Sequence, residues 1–365
     1  MSRRVYLHIG APKTGTTYLQ DRLAVNAKSL AEHGVHFPTT SPLVSPGLAQ
    51  FRGALDLLGQ DWGGAPGHAD GAWDALARRV RRRTGTVVIS HEILAPATPG
   101  QVARAMRDLA GSEIHVVYTA RDLGRQIPAA WQESIKQGRR WSYGRFVDRF
   151  EKGRTWFHRA FDVPRVLGTW GAGLPPERVH VVTVPHSSSD QHGDLLWLRV
   201  CEVLGIDPDW APLDSDRSNQ SLGVAETQVV RQLNRRMDRQ ARRESSYDEL
   251  IRDMLAQGEL ARRRTSAAVT LPPDHYPWAE EQAERWIEWI EGSGVDVVGD
   301  VDELRPVRPD PDEKWKDPDR VRAKRQLKTA LDALAAMTRE AARRPAPERQ
   351  LTQRVRAQAQ KLRDR

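Results

Sequence analysis

The sequence predicts an α/β fold: a P-loop-like parallel sheet flanked by helices, with a helical C-terminal extension. Three observations lead there. Short apolar runs (Val5 to Ile9, Thr86 to Ser90, Ile114 to Tyr118, Val179 to Val184) are hydrophobic without alternation, as in strands covered on both faces. Segments of helical period lie between them. The first run ends in Gly10-Ala-Pro-Lys-Thr-Gly-Thr-Thr17, a turn that opens a helix.

Along the chain, Leu19, Leu23, Ala27 and Leu30 recur at three- and four-residue spacing, and Gly34 stands where a helix ends. Helical patterns follow at Trp73 to Arg82, Gln101 to Ala110, Leu123 to Lys136 and Leu195 to Leu204. After Asp207-Pro-Asp209 the pattern is helical, at Leu222 to Met237, Tyr247 to Ala261 and Trp278 to Ile290, with Val295 to Val298 as a last short strand. Pro306, Pro309, Pro311 and Pro318 interrupt the chain, and polar basic helices are predicted at Val321 to Ala342 and Leu351 to Leu362. The predicted division is residues 1–305 as one α/β domain, helical from about 208, and 306–365 as a Pro-broken linker and basic helical tail. The tail's thin apolar faces predict helices that pack on the body or stay mobile.

At 365 residues the chain is long enough for a sizeable core and an enclosed pocket. Hydrophobic residues are 39% and charged residues 28%, and no run approaches the roughly 18 apolar residues of a membrane span. Met-Ser-Arg-Arg leads into a strand with no long apolar segment behind it, and Cys201 is the single cysteine. A cytoplasmic protein without a secretory signal, a disulfide framework or a cysteine-rich zinc site is the expectation. The net charge of +8 invites a nucleic-acid partner, but its placement argues against one. Sixteen Lys and Arg against six Asp and Glu lie from Lys314 onward, so the body before them is close to neutral. The tail reads as a solvated extension or a homo-oligomer contact.

A strand–loop–helix turn aims backbone N–H groups and a helix N-terminus at one spot, where phosphate is the natural occupant. Gly15 allows close backbone approach, and Thr14, Thr16 and Thr17 bring hydroxyls. The spacing departs from the nucleotide-hydrolase pattern, because Thr16 stands where that lysine belongs and Lys13 lies inside the loop. A strand runs into Thr119-Ala-Arg121, whose planar guanidinium is a group able to fork onto phosphate oxygens. Ser90-His91-Glu92 closes another strand with two candidate bases on the side where open α/β sheets bind ligands. Neither has a ligand partner at metal-binding spacing, so no metal is expected. Asn219 and Ser221 precede a helix and suit its N-cap. Trp131 and the Trp286–Trp289–Ile290 stripe read as core, with an acceptor-facing wall as the alternative, and Cys201 as a buried small hydrophobe. His186 to Asp190 lacks the Gly-x-Ser-x-Gly elbow of a hydrolase and reads as a polar loop.

Pro12-Lys13-Thr14-Gly15-Thr16-Thr17 resembles the 5′-phosphosulfate loop of sulfotransferases that use 3′-phosphoadenosine 5′-phosphosulfate (PAPS), and the likeness runs from about Val5 to Asp207. Ser90-His-Glu92 and Ala120-Arg-Asp-Leu123 are most similar to bacterial sulfotransferases of the actinomycete type. The resemblance implies that Lys13 stabilises the leaving phosphate, that Tyr18 stacks on adenine and that Arg121 grips the 3′-phosphate. It also implies that His91 or Glu92 takes the acceptor's proton and that Asn219 and Ser221 close over PAPS. The family's serine eight residues after the arginine is Ala129 here, with Arg125 or Ser134 as substitutes. The acceptor would be a small molecule, glycan or lipid. Two alternatives stand beside this reading: a small-molecule kinase using ATP and Mg²⁺, with Asp122 as its acid, and a non-catalytic binder acting through the basic tail.

Overall fold

Strands β1 (Arg4–His8), β2 (Val35–His36), β3 (Thr86–Ser90), β4 (Glu113–Ala120), β5 (Val179–Thr183) and β6 (Asp296–Val298) form one sheet in the order β2-β3-β1-β4-β5-β6. This computed structural model describes residues 3–41, 43–186, 193–215, 221–263 and 265–344. Every pairing is parallel: Val5 faces Val87 on one side and Ile114 on the other, and Leu7 faces Ile89 and Val116. Parallel neighbours need a crossover, so all six C-terminal strand ends open on the same edge. The strand order reverses at β1, between β3 and β4, and a crevice at that point is where such sheets hold ligands.

The unbroken apolar runs are explained by the two cores. Val5, Leu7, Val87, Ile89 and Val116 face one core, whereas Tyr6, Val88, Val117 and Val182 alternate onto the other. Helices α1 (Thr16–Val25) and α2 (Ala27–Glu32) cover the second face with α10 (Gly193–Leu204), bringing Leu19, Leu23, Leu30, Trp197 and Cys201. The predicted single stripe is broken at Asn26, whose side chain donates to the carbonyls of Arg22 and Leu213 and accepts from Leu213 N–H. That residue ends α1 and ties the 211–215 segment to it.

The first face lies under α3 (Pro46–Leu58), α4 (Ala72–Arg81), α5 (Pro99–Asp108), α6 (Leu123–Lys136), α7 (Tyr143–Glu151), α8 (Trp156–Phe161) and α9 (Val163–Trp170). Trp131 is fully buried, and its indole N–H donates to the Trp141 carbonyl at 3.1 Å, so it is core rather than an acceptor-facing wall. Truncating a core indole of this kind costs about 3–5 kcal/mol. Beyond α10 come α11 (Val224–Arg236) and α12 (Ser245–Tyr247), which continues as a π-helix over Asp248–Leu260. The sequence period predicts an ordinary helix there. Ile251, Leu255, Ala256 and Leu260 are buried at four- and five-residue spacing, and Ala261 N–H reaches Ala256 O, the wider i→i+5 closure. Helix α13 (Tyr276–Ser293) buries Trp286 and Ile290 and leaves Trp289 half-buried.

Within the tail, α14 (Ala323–Arg343) docks on the body through Thr329, Ala333 and Ala336, which is packing rather than mobility. The predicted Leu351–Leu362 helix lies outside the described residues. No helix among the described residues is long and apolar enough to cross a membrane.

Candidate functional site at the C-terminal strand edge

The Gly10–Thr17 loop leaves β1 at the reversal point and is held from beneath. Ala11 N–H donates to Thr119 O at 2.8 Å, and Thr14 Oγ1 donates to Ala11 O at 2.6 Å. Thr14 is buried, with its hydroxyl also against Thr119 Oγ1, so its side chain shapes the loop from inside. Gly10 packs on the backbone of Glu92, where a Cβ would come within 3.2 Å of Glu92 Cα. Lys13 adopts φ 67°, a left-handed conformation that non-glycine residues take up where the surroundings enforce it. Gly15, at φ 93°, is the N-cap of α1 and offers no side chain to cap it. Among the described residues, no side chain takes up the N–H groups of Thr16 and Thr17, and the first turn holds no acidic residue.

Segment 121–133 braces the loop from the β4 side. Arg121 NH1 donates to Lys13 O at 2.9 Å, and Gln126 Nε2 donates to Pro12 O at 2.8 Å. Lys13 Nζ meets Glu133 Oε2 at 2.9 Å. Arg121 Nε is buried and has no hydrogen-bond partner among the described residues. Burial lowers its guanidinium to about 10, assisted by Arg125 and opposed by Asp122.

On the β3 side, His91 Nδ1 accepts from Ile93 N–H at 3.3 Å, and its ring lies 5.2 Å from that of Phe51. Burial lowers the His91 pKa, with Glu92 pulling it back up. Glu92 accepts from Gln20 Nε2 at 3.2 Å. Burial raises its carboxyl, but His91, its own backbone, Gln20 and Lys13 together take it below the usual range. Glu92 is thus a carboxylate at neutral pH, and it senses the charge of Lys13.

Other predicted residues sit differently. Thr16 is buried in the first turn of α1 and Thr17 is half-buried. Tyr18 is half-buried with its hydroxyl 2.7 Å from Arg22 NH1, and Arg22 lies over the Trp197 ring. Arg125 is committed to structure: it pairs with Asp122 and donates to the carbonyls of Val184, Pro185 and His186. It therefore clamps the segment after β5. Ser134 is buried and donates to Trp131 O at 2.7 Å, so it points into its own helix. Ala129 is half-buried. Asp122 is the N-cap of α6, accepting from Arg125 N–H, which leaves it occupied rather than poised for a metal. Asn219 and the Ser187–Asp190 stretch lie outside the described residues; Ser221 is exposed, and the N-cap of α11 is Gly223. Cys201 is buried, and burial pushes its thiol up to about 12.

Three residues not foreseen complete the site. Glu133 pairs with Lys13, and Gln20 ties α1 to Glu92 and Ser90. His8 is buried at the end of β1, with Nδ1 2.7 Å from Ser90 Oγ and Nε2 3.4 Å from Thr119 Oγ1. Polar residues at strand ends, such as His8 and Thr119, were the available signal. Among the described residues, no group of three or more His, Cys, Asp or Glu could hold a metal ion. Comparison with protein family models, with characterised proteins and with solved structures found no match.

Proposed function

We propose that the chain is a nucleotide-dependent group-transfer enzyme with a P-loop-like donor site. Within that class, its best reading is a PAPS-dependent sulfotransferase. The observation that carries this is the convergence of Lys13, Arg121 and Glu92 at the ends of the adjacent strands β1, β4 and β3, around the start of α1 with its side-chain-free N-cap Gly15. The buried, unpartnered Nε of Arg121 supports it further, since an arginine donor left open in a buried place suits a phosphate oxygen.

PAPS when bound would supply an activated sulfuryl group on a phosphate leaving group. Thr16 and Thr17 N–H at the start of α1 would hold anionic oxygens, and Arg121 would bind the 3′-phosphate. Lys13 would turn from Glu133 to offset charge growing on the leaving phosphate, a contribution of ~2.7–4 kcal/mol for one preorganised donor. Of the two bases, Glu92 is the better placed. The His91 lone pair at Nδ1 is turned to Ile93 N–H, whereas Glu92 is ionised and beside the loop. It would accept the acceptor's proton as the acceptor oxygen or nitrogen attacks sulfur and the sulfur–phosphate oxygen bond breaks.

Glu92 beside Gly10 also favours a second reading, a small-molecule kinase in which that carboxylate attends a Mg²⁺-bound nucleotide. Calorimetric titration with adenosine 3′,5′-bisphosphate, beside ATP with Mg²⁺, separates the two. The sulfotransferase reading expects bisphosphate binding that falls by about tenfold or more in Arg121→Ala. Glu92→Gln keeps that binding and lowers turnover by ~10²–10⁴ once an acceptor is in hand. Binding of ATP with Mg²⁺ but not of the bisphosphate overturns the sulfotransferase reading and favours the kinase, and binding of neither overturns both readings.

A further inference from the structure

Glu133 is surrounded by more positive charge than it can answer. Lys13 Nζ and Lys136 Nζ lie 2.9 and 3.0 Å from its Oε2, and Arg252 NH2 lies 3.5 Å from its Oε1. Gln137 Nε2 adds a neutral donor at 3.2 Å. The Lys136 and Glu133 side chains are only 12% and 11% exposed, so solvent screens them poorly. Other carboxylates act from further off, Glu92 on Lys13 and Asp248 on Arg252, while Arg121 at the Lys13 carbonyl is answered by Asp122.

Fold stability does not require three cations on one carboxylate. The Glu133–Lys136 pair, three residues apart on α6, is complete by itself. Arg252 comes from the π-helix, a separate element, and its Nε is buried with no hydrogen-bond partner among the described residues. Lys136 has further N–H donors beyond the one on Glu133. Partly desolvated cations with donors to spare are completed by an oxyanion, which accepts charge-assisted hydrogen bonds from both. Glu133 then has a clear part: it holds Lys13 in the empty site and stays neutralised by the other two cations when Lys13 turns to a ligand.

We propose that Lys136 and Arg252 form an oxyanion subsite beside Lys13, and that the acceptor of the transfer carries an anionic group: a carboxylate, sulfate or phosphate. The subsite follows from the geometry alone, whereas its use by an acceptor rests on the transferase reading.

The test uses the intact chain saturated with adenosine 3′,5′-bisphosphate, titrated calorimetrically with inorganic sulfate, inorganic phosphate and acetate. At least one of the three should bind. Lys136→Met and Arg252→Met should each weaken that binding by about tenfold or more, with bisphosphate affinity kept within about twofold. Lys136→Arg and Arg252→Lys should retain it, which separates charge from packing. The proposal fails if none of the three anions binds, or if both Met variants leave anion affinity unmoved. It also fails if bisphosphate affinity falls as far as anion affinity in Lys136→Met, which would give the cluster to the donor. Should the bisphosphate itself not bind, the donor reading fails alone. The same anions titrated onto the unliganded chain then decide the subsite by the same Met variants.

Discussion

Burial lowers the His8 pKa to about 4, with Glu92 opposing and His91 adding to the shift, so the ring is neutral at pH 7. Its two nitrogens bridge Ser90 and Thr119, the polar ends of β3 and β4, directly beneath the loop. Below an unfolded value of about 6.5 the unfolded chain takes up a proton that the folded chain refuses, so His8 costs stability as pH falls towards about 4. Near pH 5 that cost is about 2 kcal/mol. Urea unfolding at pH 7.5 and pH 5 should therefore show a smaller acid loss in His8→Gln than in the parent chain. Equal losses would mean that His8 titrates freely in the folded state. Lys13, Arg121, His91 and Glu92 were legible in the sequence because motif residues sit at the ends of strands. His8, Gln20 and Glu133 were not, because each acquires its partner from a segment 70 or more residues away.

Among the elements, the turn from β1 into α1 depends on one glycine. Gly15 has φ 93°, and a Cβ there would lie 2.6 Å from Leu196 Cδ2 of α10. Gly15→Ala should cost about 1–3 kcal/mol and, on the proposed donor site, weaken bisphosphate binding, since the displaced turn carries the N–H groups proposed to hold the anion. Gly34→Ala is the control: its φ is 76° but nothing lies within 4 Å of the new Cβ, so only the backbone cost applies. Calorimetry on both separates steric displacement of the loop from dihedral strain; an unchanged affinity in Gly15→Ala would detach the loop from the ligand. The predicted strands β1, β3, β4, β5 and β6 all occur, since continuous Val and Ile runs have few other uses. Strand β2 is two residues long and leaves no period to read. Helices α3, α7, α8 and α9 are not marked by a readable period either, although α3, α7 and α8 start at the side-chain caps Ser45, Ser142 and Thr155. The last three are short and joined by tight turns, so their aromatic residues show no extended stripe.

For the whole molecule, the basic tail is the feature that composition most misrepresents. Helix α14 buries only Thr329, Ala333 and Ala336, and its Asp332 pairs with Arg263, the partner of the fully buried Glu226. Removing residues 321–365 should cost roughly 1–2 kcal/mol of stability, as expected for a few small side chains. Bisphosphate affinity should stay within about twofold, and a large loss would show that the tail helps to build the donor site. The sequence by itself determined the α/β class and the place of the loop, because chain-local rules govern both: apolar continuity makes a buried strand, and Gly with Thr makes a helix-opening turn. Tertiary structure alone decided how the charges are used. Arg125 became a clamp, Ser134 turned into its own helix, and Glu133 gathered Lys13, Lys136 and Arg252. The reason is physical: a charge in a partly desolvated site is defined by the counter-charges that packing brings to it, and neighbours in sequence do not specify those.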